Sequence, residues 1–439
     1  MTTTPMNDLR NQRVTVAGLG RFGGGIAVSK WLVDQGATVL VTDQADPEAL
    51  KDSVAQLAGL PIAYRLGEHR EEDFTDADLV VASPAIPPGH KFLQAARAAG
   101  VPVTTEIRLF IERCPARILG VTGTKGKSTT TAMLGEMLRS RRVTHVGGNI
   151  GKSLLADLPR IHSDDLVVLE LSSFMLEYLA DDRWSPHVAI VTMIAPDHID
   201  RHLTMDAYVE VKLNLVRHQK PTDLAVLNEA CKAHHLFAAA TPARVVLFGI
   251  ADRKPFTLQI PGRHFQANAQ AAFAAASFFD VTWEDAQAAL ANFTGLPHRL
   301  QLVHEHRGVR YFNDSIATIP EAAVAALESF PAKSVIQIVG GYDKKLSLDP
   351  MVAALVNDAK AALCIGQTGG AIAAHMEQAV RIGAASAYAC GDLATAVAQA
   401  KAIARPGDVV LLSPGCASYG DYRNFEERGD EFTRLVREP

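Results

Sequence analysis

GVTGTKGKSTTT, residues Gly120 to Thr131, is the stretch on which the reading of this 439-residue chain turns. Gly123 and Gly126 let the backbone close around phosphate oxygens, Lys127 brings a point charge, and Ser128 offers a hydroxyl to a magnesium ion. Before the loop, apolar Ile118, Leu119 and Val121 read as a short buried strand. After it, Thr129 to Leu138 read as a helix whose N-terminus faces the phosphates. Strand, glycine loop and helix follow in the order that a nucleoside triphosphate site needs. The spacing is not that of the general P-loop, because Val121 stands where that pattern has its first glycine and Gly120 lies one residue earlier. The plainer alternative is that the glycines only make a tight turn.

Outward from the loop, the residues before it open with Arg13 to Ala17 as a buried strand, then GLGRFGGG, in which Gly18, Gly20 and Gly23 form a GxGxxG turn ahead of a helix near Gly24. A second strand, Ala37 to Thr42, ends in Asp43, where an acidic side chain could hold a ribose hydroxyl or a base. Dinucleotide and mononucleotide readings both fit this turn. Leu79 to Ala82 is a further strand, running into the proline-rich turn Ser83 to Pro88. A boundary is expected at Arg113-Cys114-Pro115.

Beyond the loop come Gly147-Gly148-Asn149-Ile150-Gly151 and the strand Leu166 to Leu169, which ends in Glu170. A carboxylate at the carboxyl end of a strand beside a phosphate loop suits a magnesium ligand, although such a residue also caps helices. The strand Val188 to Met193 leads into Asp197, His198, Asp200 and Arg201, a density of charge that reads as a metal and substrate cluster. Lys212 follows on a helix, where periodicity alone makes it a solvated lysine. Later, Val335 to Val339, Ala361 to Ile365 and Val409 to Leu412 read as strands and Ala394 to Ile403 as a helix, an alternating α/β pattern.

Composition sets the frame. At 439 residues with 48% hydrophobic content the chain exceeds one ordinary core, and about three domains of ~150 residues are expected. A net charge of −5 leaves no broad basic surface, so nucleic acid is not an expected partner. Five cysteines without a CxxC pair argue against a structural zinc or disulfide framework and for a reducing compartment. The start MTTTPMNDLRNQ has no apolar signal core and no run approaches ~18 apolar residues, so a cytoplasmic location without membrane insertion is expected.

GVTGTKGKSTTT, GGNIG, ELSSFMLE, PDHIDRH, the lysine of YVEVKLNL, LPHRLQLV, FNDSIAT and LLSPGCASYGDYRNFEERGDEF, in this order across nearly the whole chain, resemble the Mur ligase family of peptidoglycan synthesis. The branch they resemble most adds D-glutamate to UDP-N-acetylmuramoyl-L-alanine. The resemblance implies an α/β protein of three domains: a Rossmann-like UDP-substrate domain over 1–114, a central P-loop ATPase-like domain with a mostly parallel sheet over 115–298, and a Rossmann-like amino-acid domain over 299–439. It implies an ADP-forming ligation through an acyl phosphate, with ATP and Mg2+ required; separately, a monomer is expected.

Carried over by motif, Gly123, Thr124, Lys125, Gly126, Lys127, Ser128 and Thr129 would hold ATP phosphates, with Asn268, Arg299 and Asp314 serving its base and ribose. Ser128, Glu170, His198 and Lys212 would stand at magnesium, Lys212 as a carbamate formed with carbon dioxide. Lys127, Glu170, His198 and Lys212 are thus the expected catalytic set. Carbamylation requires a neutral amine and so a desolvated lysine, which reverses the solvated reading. Gly20, Arg21, Phe22, Asp43, Gln44, Asn149, Ser172 and His198 would contact the UDP substrate. Thr318, Lys344, Ser418, Tyr419 and Phe425 would form the amino-acid pocket, with the register between Lys344 and Lys345 open.

Four positions depart from the family pattern: Ile316 replaces a lysine, Ile319 an asparagine-like residue, Met175 a glutamine and Lys125 an asparagine. The missing cation at Ile316 leaves L-glutamate as an alternative amino acid. A different Mur-type or folylpolyglutamate-type acceptor is another alternative. A nucleotide-dependent dehydrogenase, suggested by GLGRFG, is opposed by the Lys127 loop.

Overall fold

The structure is a computed structural model that describes residues 8–20, 23–378 and 385–438. Its first sheet holds β1 (Arg13–Ala17), β2 (Thr38–Asp43), β3 (Ile62–Leu66), β4 (Leu79–Ala82) and β5 (Val103–Thr104), in the order β3-β2-β1-β4-β5. All its pairings are parallel. Because β1 and β4 are buried on both faces, they read as continuous apolar runs and not as alternations.

The second sheet holds β6 (Arg117–Thr122), β7 (Thr144–Gly148), β8 (Leu166–Glu170), β9 (Val188–Val191), β10 (Leu224–Asn228) and β11 (Arg244–Phe248), in the order β11-β10-β9-β6-β8-β7. It too is wholly parallel. With β8 and β9 on either side of it, β6 is central, and the loop after it leaves from the middle of the sheet's carboxyl edge. That is where an open parallel sheet places a ligand.

The third sheet holds β12 (Gln301–His306), β13 (Val309–Asn313), β14 (Val335–Gly340), β15 (Ala361–Ile365), β16 (Ser386–Gly391) and β17 (Val409–Leu412), ordered β12-β13-β17-β14-β15-β16. Only the β12–β13 pair is antiparallel. The expected α/β architecture with mostly parallel sheets is therefore present. Backbone contacts divide the chain into two compact units, residues 1–253 with 267–286, and residues 254–266 with 287–439. The first unit carries two sheets and the second carries the third.

Two element ends differ from expectation for local reasons. The helix after the phosphate loop begins at Lys127 and not at Thr129, since Gly126 takes a left-handed conformation at φ 88° and turns the chain directly into the helix. β9 stops at Val191, because Thr192 and Met193 leave the sheet for the loop: Thr124 N donates to Met193 O at 2.6 Å.

Candidate active site

The phosphate loop is fixed by close approach. A β-carbon at Gly123 would lie 2.0 Å from Thr192 Oγ1, and one at Gly126 2.5 Å from Asn268 Oδ1, so only glycine fits at either position. Thr192 Oγ1 donates to Lys125 O at 2.7 Å, and Thr124 Oγ1 meets both Ala195 O and Tyr208 Oη at 3.0 Å. Lys127 Nζ donates to Thr124 O at 3.0 Å, curling its charge over the loop. Gly120 has no part in this: it is packed where a β-carbon would meet Leu215 and Pro186 at 2.9 Å. Lys125 is exposed.

Glu170 and Lys212 are brought to the same loop. Glu170 closes β8 and is buried; its Oε1 accepts from Asn149 Nδ2 at 2.7 Å, while Oε2, also buried, has no hydrogen-bond partner among the described residues. Helix capping is not its role, since Ser172 caps the helix Ser173–Tyr178 by accepting from Met175 N at 3.3 Å. Lys212 is 1% exposed, which overturns the solvated reading. Its Nζ donates to Gly123 O at 3.0 Å and Thr122 Oγ1 at 3.2 Å and lies 4.8 Å from the Tyr208 ring centre. Burial first, and the Lys127 charge second, pull the amine down to about 7. Tyr208 and Lys212 share one face of the helix Met205–Leu213 at a spacing of four. That spacing was a readable signal for Tyr208, which motif reading missed.

A buried carboxylate oxygen without a donor is costly unless a cation meets it. The free Oε2 of Glu170, beside a phosphate loop carrying the Ser128 hydroxyl, suits a magnesium ion that takes few protein ligands and completes its shell with phosphate and water.

The dense Asp197 to Arg201 run does not gather as a metal cluster. Among the described residues no three His, Cys, Asp or Glu side chains converge on a common point. Arg201 instead pairs with Glu177 at 2.8 Å and donates to Ala85 O at 2.9 Å, binding the Ser83–Pro88 turn of the first sheet to the second. Tyr178 Oη donates to Ile86 O at 2.7 Å in the same seam. Asp200 is exposed. His198 stands at φ 52° with its ring 4.8 Å from Phe174, half open to solvent. The neighbouring His202, which sequence reasoning did not single out, is buried against Ser173 Oγ at 3.1 Å, and burial lowers its basicity.

In the first sheet Asp43 braces the glycine turn: Oδ2 accepts from Gly20 N at 3.0 Å and Oδ1 from Ala45 N at 2.9 Å. Gln44 is exposed beside it, and Arg21 and Phe22 lie outside the described residues.

The second unit carries its own cluster. Asp314 is buried and both its oxygens are engaged, by Leu300 N at 3.1 Å and Ser413 Oγ at 2.7 Å; burial raises its carboxyl to about 7, against the lowering effect of these bonds and of Arg299. Lys344 Nζ donates to Thr318 O at 3.4 Å, whereas Lys345 pairs with Asp343 at 2.7 Å on the surface, so Lys344 is the lysine beside Thr318. Ser418 is buried, Tyr419 is exposed with its ring 6.2 Å from Tyr342, and the Phe425 ring lies 6.1 Å from His298. Ile316 donates its N–H to His298 O at 3.2 Å.

A glycine loop leaving a central parallel strand into a helix, with a buried carboxylate and a buried lysine at its back, has the build of an α/β protein of the P-loop class. Family comparison narrows this. Residues 12–105 match the Mur ligase MurD-like N-terminal domain, 121–255 the Mur ligase middle domain and 298–416 the Mur ligase glutamate ligase domain. The chain belongs to the Mur ligase family. It is 42% identical to the UDP-N-acetylmuramoylalanine–D-glutamate ligase of Roseiflexus sp. (strain RS-1), over 98% of this chain and 99% of that one. It is 39% identical to the ligase of the same name from Symbiobacterium thermophilum, over 97% and 98%. In fold it is similar to the UDP-N-acetylmuramate–alanine ligase MurC of Thermotoga maritima, with a TM-score of 0.62 at 20% identity over 97% of this chain and 99% of that one.

Proposed function

We propose that this chain is an ADP-forming ligase that joins D-glutamate to UDP-N-acetylmuramoyl-L-alanine. The observation that carries the reading is its 42% identity, over almost the full length of both chains, to a relative named for that reaction. ATP, magnesium and a carbamate on Lys212 belong to the proposal, as do the cytoplasm, a monomer and domains over 1–114, 115–298 and 299–439. Magnesium, when bound, would neutralise the charge between phosphate and carboxylate.

The reaction brings two anions together, and the loop's own groups lower that barrier. Lys127 and the N–H groups at the start of its helix would offset the negative charge of the γ-phosphoryl oxygens, which opens the phosphorus to an anionic nucleophile. A carboxylate oxygen of the muramoyl substrate attacks the phosphorus and ADP leaves. The amine of glutamate then attacks the acyl carbon, phosphate departs, and the proton of the amine is lost. Glu170 and Ser128 are the side chains we assign to magnesium, with His198 at the mouth. Asn149 orients Glu170 through their 2.7 Å bond, and its place in the UDP-substrate set, with Gly20, Asp43, Gln44 and Ser172, is retained as a proposal. Lys212, half neutral near pH 7, has the free electron pair that carbon dioxide requires. Thr318, Lys344, Ser418, Tyr419 and Phe425 are assigned to glutamate, and Asn268, Arg299 and Asp314, by motif, to the nucleoside.

Ile316, in place of the family's lysine, keeps L-glutamate as a second reading. A single assay decides: ATP, magnesium and UDP-N-acetylmuramoyl-L-alanine with D-glutamate, L-glutamate or meso-diaminopimelate in turn, following phosphate release and product mass. Release with D-glutamate alone is expected, and no release with any of the three would sink the ligase reading.

A further inference from the structure

Arg428, in the first turn of the helix Phe425–Arg437, is a large side chain with only 1% of its surface exposed. The chemistry above makes no use of it. Its donors go to neutral acceptors: Nε to Ser315 Oγ at 3.0 Å, Nη2 to Ser315 O at 2.9 Å and Nη1 to Cys416 O at 3.2 Å. Nη1 also lies 3.3 Å from where a β-carbon on Gly341 would stand. A buried cation bonded to no carboxylate among the described residues, at the positive end of a helix, is an expensive arrangement. Burial lowers the guanidinium only to about 10, so it is charged at neutral pH.

What it touches explains its position. Ser315, Gly341 and Cys416 lie on the loops that leave the carboxyl ends of β13, β14 and β17, which are neighbours in the sheet as β13-β17-β14. The same three loops carry Thr318, Lys344 and Ser418. Phe425 begins Arg428's own helix, and its carbonyl accepts from Ser315 Oγ at 2.8 Å. The planar fork bonds the backbones at Ser315 and Cys416 at once and packs against Gly341, a reach that a lysine lacks.

We infer that Arg428 is a positioning residue for the amino-acid substrate: it clamps the three loops into one register, so that Thr318, Lys344 and Ser418 meet a dicarboxylate together. The substrate half of this rests on the ligase reading; the clamp does not. Arg428→Lys keeps the charge and loses the fork, and Arg428→Met loses both. In each, amide exchange across 314–318, 341–345 and 415–419 is expected to quicken together by about tenfold, with the strands of the second sheet unchanged. The KM for glutamate should rise by on the order of tenfold in both variants, while the KM values for ATP and the UDP substrate hold. If the methionine variant does not fold, the lysine variant carries the test. Unchanged loop exchange with an unchanged KM for glutamate, in a wild type that turns glutamate over, overturns the clamp. Equal rises in all three KM values overturn the substrate role. A wild type that uses no glutamate removes the ligase reading itself, and the exchange measurement then judges the clamp alone.

Discussion

Lys212 shows how far a single side chain can depart from its sequence context. On a helix of ordinary polarity it reads as solvated, yet the fold turns it onto Gly123 O and Thr122 Oγ1 and strips it of water. Between pH 7 and the ordinary lysine value of 10.5 the unfolded chain holds a proton that the native chain lacks, so native stability rises with pH through that window. Lys212→Met is expected to flatten that rise in chemical denaturation curves taken across it. The same neutral amine predicts a carbamate carbon signal when the protein is equilibrated with 13C-bicarbonate; no signal that is missing from Lys212→Met counts against the carbamate. Lys127→Ala should cut kcat/KM by about 100-fold to 1,000-fold with the melting temperature unchanged, since it removes charge stabilisation and little packing. Asp314 has the opposite pH sign to Lys212. With its carboxyl raised from 3.8 to about 7, the native state holds the extra proton, and stability falls as pH climbs through that interval. Asp314→Asn should abolish this fall, and its persistence would show that another group is responsible.

At the scale of elements, the loop and the helix behind it form one object. Gly126 must be left-handed and must also make room for Asn268. Gly126→Ala is therefore expected to cost about 1–3 kcal/mol in stability, read from urea denaturation, through backbone strain and a displaced amide. Ser172 serves its helix as an N-cap, and Ser172→Ala should cost about 1 kcal/mol. A KM for the UDP substrate that moves with it would support a contact in addition to the cap. The ends of β9 and of the loop helix were not legible from residue types, because Thr192, Met193 and Gly126 obey tertiary hydrogen bonds and not local propensity.

At the scale of the whole molecule, two compact units with separate cores predict more than one transition in calorimetry. Asp314→Asn should shift only the transition belonging to the second unit, and a single transition moving as a whole would refute this. Much was legible in advance. The buried parallel strands announce themselves as apolar runs, GVTGTKGKSTTT encodes its strand, turn and helix through glycine and periodicity, and the eight motifs named the family. Those features are written locally, in residue type and short spacing, so the sequence alone determined the class of fold, the phosphate loop and the family. Burial and partnership are long-range properties and had to wait for the tertiary structure. It turned Arg201 from a cluster member into a tie to the Ser83–Pro88 turn, left one oxygen of Glu170 free, chose Lys344 over Lys345 beside Thr318, and buried Arg428 under three loops. Each of these depends on segments from about 20 to more than 100 residues apart, whose meeting no local pattern records.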